Sequence, residues 1–139
     1  MANGKKYSIQ VTSILCYGTS DLGGLNDEVY IVYQADGGLP IRYTPVDAGS
    51  GKYGLDFYTQ SMNSQSDCHG TAVWDWGVSI QIDFDYEALV TLWDQDVKGV
   101  NNASEFLINC DYRPGNFPSS YAMSNNNGAN YTINAHTIG

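Results

Sequence analysis

The stretch that most restricts the possible folds is Val78-Ser79-Ile80-Gln81-Ile82-Asp83-Phe84-Asp85, which alternates apolar and polar residues without a break. Successive strand side chains point to opposite faces, so Val78, Ile80, Ile82 and Phe84 share one side, and Asp83 and Asp85 read as part of the solvent side. On a helix the same residues would scatter around the cylinder, so the spacing predicts a half-buried strand. Similar runs occur elsewhere. Tyr7-Ser8-Ile9-Gln10-Val11-Thr12 continues into Ile14-Leu15-Cys16, and Glu28-Val29-Tyr30-Ile31-Val32-Tyr33 stops before the turn residues Asp36-Gly37-Gly38. Short strands are expected at 39–44 despite Pro40, at 53–58, over Leu89-Val90-Thr91-Leu92-Trp93, and at 104–109. A closing pair is expected at 121–124 and Tyr131-Thr132-Ile133-Asn134-Ala135, joined by an Asn125-Asn126-Asn127-Gly128 turn. The chain has 11 Tyr and 15 Gly but few of the residues that fill helices, which agrees with strands and turns. Seven or eight short strands without an amphipathic helix predict an all-β, antiparallel β-sandwich, and 139 residues leave room for one domain spanning 1–139.

Charge narrows the function classes. Fifteen acids against six bases give a net charge of −9, with no basic stripe to neutralise a phosphate backbone, so nucleic acid is excluded as a partner. No apolar run reaches the roughly 18 residues of a membrane-spanning helix. The opening Met1-Ala2-Asn3-Gly4-Lys5-Lys6-Tyr7 lacks the apolar core of a secretory signal, so a cytoplasmic or peripheral membrane location is expected. Cys16, Cys68 and Cys110 have no zinc-type spacing and read either as buried thiols or as one disulfide plus one free thiol. The nucleophile-elbow, zinc-protease and phosphate-loop motifs are all missing, so the chain is not expected to be an enzyme.

Two loops carry the chemistry. Asp21-Leu22-Gly23-Gly24-Leu25-Asn26-Asp27 joins the first two predicted strands, and Asp94-Gln95-Asp96-Val97-Lys98-Gly99-Val100-Asn101-Asn102 follows the Leu89 strand. An extended Asp-x-Asp pair directs two carboxylates the same way, about 7 Å apart, which suits a hard cation. If the loops meet, charges ~5 Å apart at an effective dielectric of ~20 repel by roughly 3 kcal/mol per pair, comparable in sum with the stability of a small domain. Calcium relieves this, because it takes carboxylate, amide and backbone oxygens. Zinc would need His or Cys, which neither loop has.

These residues resemble a known family. Asp21-x-Gly23-Gly24-x-x-Asp27-x-x-Tyr30-x-Val32 is similar to the first calcium loop and following strand of C2 domains. Val73-Trp74-Asp75 resembles the Pro-Val-Trp-Asn segment that precedes the corresponding C2 strand, and Leu89-x-x-Leu92-x-Asp94-x-Asp96 with Asn102 resembles the third calcium loop. The resemblance covers roughly residues 7–110 in the right order. It implies an eight-stranded Greek-key, C2-like sandwich that binds Ca2+ at one end and docks on anionic phospholipid. Carried over by position, the metal ligands are Asp21, Asp27, Asp94, Asp96 and Asn102, with the carbonyls of Leu22 and Gln95 as backbone donors. Glu28 stands where the family has Pro, and Asn102 stands where it has an acid, which predicts weaker affinity or fewer ions. Leu22, Leu25, Val97 and Val100 flank the ligands and either insert shallowly into a membrane or pack the loop bases.

Two other functions fit the same ions. A lectin-like protein would grip sugar hydroxyls through calcium beside Trp74, Trp76 or Trp93, although large aromatics more often fill sandwich cores. A structural or toxin-like subunit would use calcium for stability and act by assembly. The expected partner is an anionic phospholipid surface, or a protein or glycan in its place. Asp67-Cys68-His69 has no third ligand nearby in sequence and reads as an ordinary polar loop.

Overall fold

A computed structural model of the chain describes residues 4–19, 27–43, 60–62, 71–72, 78–95, 104–124 and 128–138. The strands are β1 (Tyr7–Gly18), β2 (Asp27–Ala35), β3 (Ile41–Arg42), β4 (Gln60–Met62), β5 (Thr71–Ala72), β6 (Ile80–Phe84), β7 (Ala88–Gln95), β8 (Ser104–Tyr112), β9 (Ser120–Ser124) and β10 (Asn130–Thr137). No α-helix occurs among the described residues. One sheet runs β5-β1-β10-β9, with β6 also pairing β1; the other runs β3-β2-β7-β8, with β4 also pairing β2. All described pairings are antiparallel, and one cluster of buried side chains draws on both sheets, as in a β-sandwich.

The alternating run behaves as its spacing dictates. Val78, Ile80, Ile82 and Phe84 are buried, while Asp83 accepts a 2.6 Å hydrogen bond from the Ser8 hydroxyl across the sheet. β1 solves a phase problem. Ile9 and Val11 bury on one parity and Ile14 and Cys16 on the other, so an unbroken strand would turn one pair to solvent. The register against β10 shifts between Val11 and Ser13, and that bulge returns both pairs to the core. The shift in the β7–β8 pairing beside Trp93 likewise leaves both Leu107 and Ile108 buried.

The expected strand at 39–44 is cut down to Ile41–Arg42. Pro40 has no N–H for the ladder, and the preceding turn is closed by a 2.8 Å bond from Gly38 N–H to Ala35 C=O. Asp36 (φ 52°) and Gly37 (φ 69°) both take left-handed backbone there, as a type I′ turn requires. The expected strand at 53–58 lies outside the described residues.

Cys16 is disulfide-bonded, and Cys110 is a free thiol whose burial pushes its pKa up to about 12, which keeps it protonated and inert. Tyr112 is fully buried with its ring edge-on to Tyr121, and among the described residues its hydroxyl has no hydrogen-bond partner. Burial raises its pKa. Tyr112→Phe removes an unsatisfied group, so urea unfolding is expected to show unchanged stability or a gain of up to about 1 kcal/mol. A clear loss would reveal an anchoring role for the hydroxyl.

Candidate metal centre

Hydrogen bonds at one end of the sandwich fix what gathers at the other. Lys5, just before β1, bonds Asp36, just after β2, so these two strands run in opposite directions. The C-terminal end of β1 and the N-terminal end of β2 therefore lie together at the far end. β2 pairs β7 with Val29 opposite Asp94, so β2 begins, at Asp27, where β7 finishes, at Gln95. β8 starts beside them, with Ser104 opposite Gln95 and Glu105 opposite Asp94. The β2 stem of the first acidic loop and both stems of the second thus leave the same end of one sheet on neighbouring strands, while the β1 stem of the first leaves the facing sheet at that end. β10 also begins there, with Asn130 opposite Gly18.

Of the sequence-predicted ligands, Asp27, Asp94 and Gln95 are placed as strand-end backbone. Asp21, Leu22, Asp96 and Asn102 lie outside the described residues, as do the membrane-contact candidates Leu25, Val97 and Val100. Among the described residues no group of three or more His, Cys, Asp or Glu side chains is arranged to hold a metal ion. Glu105 is the acid that sequence reasoning missed. Its run reads only as a strand, and the pairing register is what sets it opposite Asp94, on the third strand of the acidic end.

The opposite end is acidic too, but its charges are answered. The Asp36 carboxylate accepts backbone N–H bonds from Asp85, Tyr86 and Glu87 and an ion pair from Lys5. Partial burial acts to raise its pKa, and these donors outweigh that and hold it at about 2. Arg113 bridges Glu87 at 2.9 Å and Asp111 at 3.0 Å, while the contact between the two carboxyls raises the pKa of Glu87. Lys5 and Arg113 are therefore engaged at the end away from the two loops.

Two further features adjoin the site. Trp93 is not in the core: it is half-buried on the outer face of its sheet, stacked on Tyr30 at 6.5 Å, with its indole N–H on the Thr91 hydroxyl. The Arg42 guanidinium lies 3.7 Å above the Tyr30 ring, so that ring is covered and is no open platform for a sugar. Trp74, Trp76 and the Asp67-Cys68-His69 segment lie outside the described residues. At the end of β1, a Cβ on Gly18 would come within 2.7 Å of the Gly128 carbonyl oxygen, so only glycine lets β1 close against the turn before β10. Gly18→Ala is expected to lower stability by about 1–3 kcal/mol in chemical denaturation. No change would mean that the turn yields freely.

Compared with known proteins, the chain matches no protein-family model and no curated protein sequence.

Proposed function

We propose that the chain is a calcium-binding, C2-like Greek-key sandwich that docks on anionic phospholipid surfaces through the loops at its acidic end. One observation carries the reading: Asp94 pairs with Val29, so the stems of two acidic loops far apart in sequence stand on adjacent strands at one end. Asp27, Asp94 and Glu105 belong to the ends of three neighbouring strands, β2, β7 and β8, at positions of one register face. Acidic residues on adjacent strand ends, continued by two acidic loops in the sequence, suit a divalent ion. Ca2+ would be held by Asp21, Asp27, Asp94, Asp96 and Asn102, with backbone oxygens of Leu22 and Gln95.

The protein would stay net negative after taking up two ions, so docking depends on a local positive patch made by the bound metal, together with Leu25, Val97 and Val100 at the tips. The disulfide at Cys16 favours an oxidising compartment over the cytoplasm and so supports a peripheral location on the oxidising side of a membrane. Co-sedimentation with phosphatidylserine-containing vesicles tests the reading. Pelleting is expected in millimolar calcium and not in excess chelator, and equal pelleting in both, or none in either, refutes lipid docking.

A further inference from the structure

All of the chain's Asp, Glu, Lys and Arg residues lie before residue 114, so the last 26 residues, which form β9 and β10, carry none. On a protein of net charge −9, this makes one side of one sheet uncharged. β9 is the outermost strand on that side, and among the described residues no strand pairs its far edge. β6 and β8, the other edge strands of comparable length, carry Asp83, and Glu105 and Asp111.

The backbone of β9 is arranged for pairing. Ala135 N–H donates to Ser119 C=O, which makes Ser119, Tyr121 and Met123 the residues bonded to β10. Alternation then turns the N–H and C=O groups of Ser120, Ala122 and Ser124 toward the open edge. All three residues are exposed, and their side chains are too short to obstruct another strand. The usual protections of an edge, a lysine, a proline or a bulge within the strand, are missing from Ser-Tyr-Ala-Met-Ser.

We infer that β9 pairs antiparallel with β9 of a second copy of this chain, joining two sheets into one across a two-fold axis at Ala122. Ala122 would face Ala122 of the second copy, and Ser120 would face Ser124, giving about six main-chain hydrogen bonds. The second copy is favoured over a charged partner because β9 offers no charge for such a partner to answer. Two chains of net charge −9 repel least where neither carries charge.

The test is sedimentation velocity of the full chain from about 1 to about 100 μM, in calcium and in chelator, a range that brackets micromolar association. A concentration-dependent monomer–dimer equilibrium is expected in both. Ala122→Lys sets like charges face to face and is expected to weaken the dimer at least roughly tenfold, with an unchanged thermal midpoint at concentrations where both chains are monomeric. Ala122→Pro, which removes an N–H that β10 does not use, is expected to do the same. A monomer throughout that range, a dimer that needs calcium, growth beyond the dimer, or an Ala122→Lys dimer as tight as the parent would overturn the inference. If Ala122→Pro fails to fold, Ala122→Lys decides alone. Because the expected dimer survives in chelator, its failure is distinguishable from failure of the calcium reading.

Discussion

Asp36→Ala is expected to lower the stability of the chain by about 2–4 kcal/mol in urea unfolding at pH 7. The carboxylate is 13% exposed and ties the end of β2 to the turn between β6 and β7 through the N–H groups of Asp85, Tyr86 and Glu87. Alanine leaves those donors without their charged acceptor and also strains a backbone at φ 52°, which asparagine would tolerate. Asp36→Asn is therefore expected to lose about half as much. The pH dependence has a definite sign. A carboxyl held at about 2 in the folded chain and near its ordinary value when unfolded contributes fully above pH ~4, and that contribution is lost as pH falls through ~2. The parent should thus lose stability more steeply between these limits than Asp36→Asn, and parallel acid profiles would contradict this role of the Asp36 carboxylate.

The double substitution Asp94→Asn, Asp96→Asn is expected to abolish calcium-induced stabilisation. In the parent, free calcium at a hundred times its dissociation constant adds about 2.7 kcal/mol, a shift in thermal midpoint of roughly 10 °C. In the variant the shift should vanish, while the metal-free midpoint should rise because carboxylate repulsion at the ends of β2, β7 and β8 is relieved. Calorimetric titration reads the same loss as heat. An unchanged calcium shift would mean that the ion, if bound, uses other residues, and Glu105 would be the next to replace.

The elements with clean alternation are legible in the amino-acid order itself. β6 is the clearest, because a half-buried strand in an antiparallel sheet needs an apolar residue at every second position and Val78 to Phe84 supply one. The Asp36-Gly37 turn and the β9–β10 pair are legible for the same kind of local reason, that few residues accept left-handed backbone. Other features are less so. The two-residue β3 owes its brevity to Pro40 together with a turn hydrogen bond that propensity does not report, and the β1 bulge emerges only when both of its halves must face one core. At the acidic end, composition points to Asp27 and Asp94, but Glu105 joins them only through the register.

Local chemistry, written residue by residue, determined the strand content, the turns and the surplus of aspartate in two loops. Which strands became neighbours was decided by the tertiary structure alone, because pairing depends on burying both sheets' apolar faces at once rather than on any one segment. That choice set Asp94 beside Val29, drew Lys5 and Arg113 to the opposite end, and left the uncharged β9 on the outside.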